Sequence, residues 1–243
     1  MSINTTFTKE NLDLYLSRLA KEYRKRNGTQ IRAEIVLIGG AAVLTNYGFR
    51  DMTYDIDAII HASSSMKDAI RIVGDELGLP NGWLNSDFIK TASYSPKLLQ
   101  YSKFYKRFGY VLDVRTISRE YLIAMKLMSG RKYKNDLSDI IGILYEEQQS
   151  GSPLCMEQIQ TAVYNLYGNW ECLSHDSRDF IYEIMNHNNL ENLYKFYRTS
   201  EISTKEALID FEQNYPNVVT TNNVNDIIKQ LHERKKSLEI KAL

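Results

Sequence analysis

The stretch EIVLIGGAAVLTNYGFRDMTYDIDAII, residues 34–60, decides how the rest of the chain is read. Glu34 to Ile38 is short, rich in β-branched residues and halted by Gly39-Gly40, the pattern of a buried strand running into a tight turn. Ala41 to Tyr47 has helical propensity and is expected to begin at that turn. Asp55 to Ile60 reads as a second strand, in which period-two geometry puts Asp55 and Asp57 on one face and Ile56 on the other. Two carboxylates pointing the same way about 7 Å apart along a strand repel each other unless something neutralises them. A divalent cation does so, and hard oxygen ligands of this kind suit Mg²⁺ or Mn²⁺ bound together with substrate phosphates.

Upstream of this stretch, Leu12, Leu16, Leu19 and Tyr23 recur at helical spacing after Thr8, which predicts a helix over 9–27 ending near Gly28. Downstream, Met66 to Leu79 reads as a helix stopped by Pro80, and Lys103 to Phe108 and Tyr110 to Thr116 flank Gly109 as two strands of a hairpin. Asp113 interrupts the second of these apolar strands. A buried, unpaired carboxylate is costly, so Asp113 is either a third ligand to the same metal pair or the partner of a basic neighbour such as Lys106 or Arg107. From Ser118 onward the chain reads as helices over 119–129, 135–149, 155–167, 177–186, 189–198, 203–213 and 223–238. The change of character near Gln149 to Pro153 predicts a mixed α/β part, residues 1–149, and an all-helical part, residues 150–243.

Composition sets the class. Hydrophobic residues are 43% and charged residues 25% of the 243 residues, which excludes disorder, collagen-like repeats and a coiled-coil rod. Thirty Lys plus Arg balance thirty Asp plus Glu, so any nucleic-acid or membrane-surface binding has to come from a local basic face rather than from the whole molecule. Cys155 and Cys172 are too few for a disulfide scaffold or a four-cysteine zinc site. No apolar run approaches the roughly 18 residues of a membrane span, and Met1 to Glu10 is polar where a signal peptide is apolar. A cytoplasmic protein with no membrane partner is expected. Gly39-Gly40-Ala41-Ala42 lacks the third glycine of a dinucleotide fingerprint, and a carboxylate pair follows where a single ribose-binding residue would stand.

The apolar strand, glycine turn, Asp-x-Asp and later carboxylate together resemble the nucleotidyltransferase-fold superfamily, which includes DNA polymerase beta-like enzymes, minimal nucleotidyltransferases and AbiE-type abortive-infection toxins. Ile38-Gly39-Gly40-Ala41-Ala42-Val43-Leu44 and Arg50-Asp51-Met52-Thr53-Tyr54-Asp55-Ile56-Asp57 look most like the toxin branch, in which an Arg and a Thr or Ser precede the Asp-x-Asp. Fourteen residues separate Gly40 from Asp55, slightly more than in shorter versions. Tyr121 to Leu127, followed by Arg131, Lys132, Lys134, Asp136 and Asp139, is similar to the helix after the catalytic strands in that branch.

The resemblance implies an α/β fold with a small mixed sheet flanked by helices, followed by an all-helical C-terminal domain. It implies an enzyme of phosphorus-group transfer that moves a nucleoside monophosphate from an NTP to an acceptor hydroxyl. Asp55, Asp57 and Asp113 would be catalytic metal ligands, and Gly39, Gly40, Arg50, Thr53 and Lys126 would bind the nucleotide. Glycines leave backbone N–H groups at a helix N-terminus open to phosphates. Lys126 interrupts an apolar helix face and is either a phosphate-neutralising cation or a lysine reaching past the core to water. Arg131, Lys132 and Lys134 form a basic cluster beside it, and Asp136 and Asp139 either orient that cluster or cap the next helix. His61 ends the second strand and is a weaker candidate base. The acceptor would be RNA, such as a tRNA 3′ end, or a protein side chain, in a toxin–antitoxin or phage-defence pair with a cognate antitoxin. An antibiotic-modifying enzyme and a non-catalytic nucleotide-binding protein or antitoxin of the same fold are the alternatives. The five cations Lys97, Lys103, Lys106, Arg107 and Arg115, together with the four from Lys126 to Lys134, would form a rim for a nucleic-acid acceptor if the fold brings both stretches to the cleft.

Overall fold

A computed structural model describes residues 6–131, 134–220 and 223–241. Helix α1 (Lys9–Asn27) starts where Thr8 and Asn11 form a reciprocal capping box and stops at Gly28, whose φ of 64° suits glycine. Strand β1 (Ala33–Leu37) runs into α2 (Gly39–Asn46), and β2 (Ile56–His61) returns beside β1. Helix α3 (Ser65–Leu77) ends one residue before the left-handed Gly78, so that glycine terminates it before Pro80 is reached.

Strand β3 (Leu84–Asn85) and two 3₁₀ turns, Asp87–Lys90 and Pro96–Tyr101, precede the hairpin of β4 (Ser102–Phe108) and β5 (Leu112–Ile117). β3 and the 3₁₀ turns are too short to leave a periodic signal. The sheet order is β3-β2-β1-β5-β4, with β1 antiparallel to β2 and parallel to β5. This is a five-stranded mixed sheet flanked by helices, the α/β architecture of a nucleotidyltransferase fold.

Helices α4 (Arg119–Ser129), α5 (Asp136–Gln149), α6 (Met156–Tyr167), α7 (His175–Met185), α8 (Leu190–Asn214) and α9 (Val224–Lys241) complete the described chain. The segments expected at 189–198 and 203–213 are one helix. Thr199, in the gap between them, and Thr204, at the start of the second, donate their hydroxyls back to the carbonyls of Lys195 (2.9 Å) and Ser200 (2.8 Å), which keeps them inside the helix. Ser150–Pro153 is a turn between α5 and α6. Beyond it Leu154, Ile159, Val163, Ile181 and Ile184 continue the same buried cluster as Ile35, Leu37 and Val114 of the sheet.

Candidate active site

The chain reverses at the end of β1 in a space that only glycine can occupy. The Ile38 N–H donates to the Asp57 carbonyl (3.1 Å), which brings the turn against β2. Gly39 has a φ of 55°, and a Cβ there would stand 3.8 Å from Asp57 Oδ2, so the carboxylate overhangs the turn. At Gly40 a Cβ would lie 2.6 Å from Thr53 Oγ1 and 2.9 Å from Arg50 Nη2. Thr53 is fixed by two backbone hydrogen bonds with Phe7 (2.8 and 2.9 Å), and its hydroxyl points to the Asp55 carbonyl (3.2 Å) and carboxylate (3.4 Å). No side chain caps the start of α2, so its first N–H groups remain available to a ligand.

Asp55 lies just before β2, exposed, and Asp57 lies within it, half-buried. Burial pushes the Asp57 carboxyl up from its ordinary value, and Asp55 adds to this, as Asp87 does to a smaller extent. Lys134 and Arg131 pull the other way. Both cations come from the loop after α4, and the basic run alone did not single out their effect on Asp57. Lys132, in the same run, lies outside the described residues.

Asp113 is not brought to this pair. β5 is parallel to β1 and sets Asp113 beside Glu34, whereas Asp57 sits opposite Ile38, four residues further along β1. That is a separation of about 13 Å along the strand direction alone. Asp113 is instead gripped by Arg107 across the hairpin, through two hydrogen bonds, one of them 2.8 Å from Nη2 to Oδ2. Arg107 holds its carboxyl below the ordinary value, against a smaller opposing effect of burial. Of the two readings open for Asp113, the ion pair is the one the fold adopts, and the three-carboxylate metal set of Asp55, Asp57 and Asp113 is not assembled. Among the described residues no three His, Cys, Asp or Glu side chains gather at metal-ligand spacing.

Three of the cations expected at a basic rim are engaged by other residues. Lys106 binds Asp13 of α1 (2.7 Å), Arg107 is taken by Asp113, and Arg115 donates to the Ser102 hydroxyl (2.7 Å) and carbonyl (2.6 Å). His61 is exposed at the far end of β2, opposite Glu34 rather than beside the turn.

Lys126 takes neither of the places expected of it. Its side chain is 7% exposed, and Nζ sits between Asp139 Oδ2 (2.6 Å) and Asp136 Oδ1 (3.2 Å). Asp139 Oδ2 also accepts from Arg50 Nη1 (2.5 Å), and Asp136 Oδ2 accepts from Arg131 Nε (2.9 Å). Burial would raise the Asp136 carboxyl, but Lys126 and Arg131 outweigh it and hold it well below the usual carboxylate range. Asp136 and Asp139 stand in the first turn of α5, where the helix dipole also favours negative charge. Arg50 thus joins the glycine turn to this buried ion cluster, which explains why an arginine and two later aspartates belong to one site.

A family model described as "Nucleotidyltransferase of unknown function (DUF6036)" matches residues 15–150. The chain belongs to this nucleotidyltransferase family. Comparisons with curated proteins and with solved structures give no match. The matched span holds the glycine turn, Asp55, Asp57 and the Arg50–Asp139–Lys126 cluster.

A further element, α8, lies beyond the matched span and contacts the segments that carry the site. Tyr194 donates its hydroxyl to the Phe49 carbonyl (3.0 Å), and Arg198 donates to Asn135 Oδ1. Glu201 Oε1 accepts from the N–H groups of Leu137 (3.0 Å) and Ser138 (3.2 Å), and Lys205 lies 4.4 Å over the Tyr54 ring. Spacings of four, three and four residues put these side chains on one helix face. That stripe mixes aromatic, cationic and acidic residues, so apolar periodicity does not mark it.

Proposed function

We propose that this nucleotidyltransferase moves a nucleoside monophosphate from an NTP to an acceptor hydroxyl and releases pyrophosphate. The approach of Asp57 to the Gly39-Gly40 turn carries the reading, because it joins a phosphate cradle to a carboxylate pair. Asp55 and Asp57 fit a divalent cation: both offer hard oxygen atoms, and Asp57 is strained toward protonation by burial and by its neighbour. Mg²⁺ or Mn²⁺ bound there would neutralise the triphosphate and the departing pyrophosphate.

The chain's own groups supply the remainder. Open N–H groups at the start of α2 donate to a phosphate, and the two glycines let it approach. Lys134, exposed and without an ion pair among the described residues, would meet phosphate oxygens together with Arg131, a role supported by the pull of both charges on Asp57. The Thr53 hydroxyl orients Asp55.

The likeness of the Arg50 to Asp57 segment to AbiE-type toxins supports an acceptor that is RNA, such as a tRNA 3′ end, or a protein side chain, and a cytoplasmic toxin–antitoxin or phage-defence setting. Labelled NTPs offered with Mg²⁺ to total RNA, cell protein and aminoglycosides in separate reactions test this. Transfer to one acceptor class, lost in Asp57→Asn and weakened in Lys134→Ala, is the expected result. NTP binding with no transfer to any class would instead support a nucleotide-binding protein without catalysis, a reading favoured by the commitment of Asp113 to Arg107.

A further inference from the structure

The ion cluster behind the glycine turn contains three cations, Arg50, Lys126 and Arg131, and two anions, Asp136 and Asp139. Both carboxylates are almost wholly buried, and Lys126 contacts both. Each carboxylate in turn holds one arginine. Asp139 fixes Arg50 through Nη1, and the Met52 carbonyl fixes it through Nε (3.1 Å), which leaves Nη2 facing Gly40. Asp136 fixes Arg131 through Nε (2.9 Å).

We infer that Lys126 is a positioning residue of the phosphate site: by pinning Asp136 and Asp139 together it holds Arg50 with Nη2 at the Gly39-Gly40 turn, where it clamps a polyphosphate, and keeps Arg131 on the same cluster. Lys126 itself does not touch the ligand, because its ammonium is enclosed by the two carboxylates. Two buried carboxylates held at one lysine repel each other when that lysine is removed, and they swing apart or take up protons. Either response loosens both arginines at once. A lysine that merely filled the core would leave them in place. The inference rests on the reading of the turn as a phosphate site.

Calorimetric titration of the full chain with inorganic tripolyphosphate and with ATP, both in EDTA, tests the clamp without relying on catalysis. Lys126→Met should weaken tripolyphosphate binding by about tenfold or more, the scale of one lost charge-assisted contact. Lys126→Arg, which keeps two carboxylates paired, should recover most of that loss. Asp139→Asn gives an independent arm that keeps side-chain volume. It makes the cluster more positive, so a simple attractive field predicts tighter binding, whereas release of Arg50 predicts weaker binding. This arm decides the question if Lys126→Met does not fold. Unchanged affinity in a folded Lys126→Met variant, or tighter binding by Asp139→Asn, overturns the positioning role. Absence of binding of either polyphosphate to the unaltered protein overturns the phosphate site itself, and the inference with it.

Discussion

Replacing Gly40 by alanine tests the steric basis of the turn. Gly40 does not have a positive φ, so alanine meets no backbone strain there, and in an open helix it would gain up to about 1 kcal/mol of propensity. Against this gain stands a Cβ 2.6 Å from Thr53 Oγ1 and 2.9 Å from Arg50 Nη2. The guanidinium end of Arg50 can move by some tenths of an ångström. Thr53 cannot, because its short side chain is 1% exposed and its backbone is hydrogen-bonded both ways to Phe7. Overpacking of this kind costs about 1–3 kcal/mol. Any shift of Arg50 away from buried Asp139 adds about 1–3 kcal/mol for the weakened charged contact.

The clash therefore outweighs the propensity gain, with a net loss of about 1–5 kcal/mol. In a chain of this size that lowers Tm by roughly 2–20 °C. Gly48→Ala is the control: Gly48 has no positive φ, and the nearest atom to its Cβ would be Glu146 Oε1 at 3.4 Å, an ordinary contact. Scanning calorimetry of both variants makes the comparison, with Gly48→Ala expected to stay within about 0.5 kcal/mol of the unaltered protein. A Gly40→Ala protein that melts level with Gly48→Ala, or above the unaltered chain, would refute the steric account of the turn.

Asp57→Asn should raise the melting temperature at pH 8 in EDTA and have little effect at pH 4. Burial and Asp55 raise the folded-state pKa of Asp57, so its stabilising contribution is complete below the ordinary carboxylate value and is lost as pH rises through the raised one. An equal effect at both pH values would count against the repelling pair. Glu201→Gln follows the same sign: burial lifts the Glu201 carboxyl from 4.5 to about 7, and its Oε2 has no hydrogen-bond partner among the described residues. The unaltered protein should lose up to about 3 kcal/mol relative to the variant between pH 4.5 and 8, and parallel pH–stability curves would dismiss this. Gly142→Ala should destabilise by about 1–3 kcal/mol, since a Cβ would lie 2.7 Å from the Phe49 ring. Adding Phe49→Leu should recover part of the loss; a double variant that is no better than the single one would show that the ring is not the obstacle.

Much of the site was legible because its parts are close in sequence and obey local rules. The strand, glycine turn and second strand lie within residues 34–60, where β-branching, the steric freedom of glycine and period two suffice to place Gly39, Gly40 and Asp57. Thr8 and Asn11 likewise set the start of α1 by a contact three residues long. Asp113 shows where such rules end. Its residue type and strand were readable, but its partner followed from the register of β5 against β1 and β4, which packing of the whole sheet selects.

Lys126 shows the same limit for a helix. Sequence marked a lysine on an apolar face, while the carboxylates that enclose it come from α5 after the chain has turned back. The stripe of α8 reaches Phe49, Tyr54 and the start of α5 from as far as 151 residues away along the chain (Tyr54 to Lys205), through polar contacts that carry no apolar period. Sequence by itself therefore determined which residues can form a phosphate turn and a carboxylate pair, because those are properties of adjacent backbone. Only the tertiary structure decided which charges meet, because an ion pair depends on a distance of a few ångströms between elements whose relative placement is fixed by burying the common core.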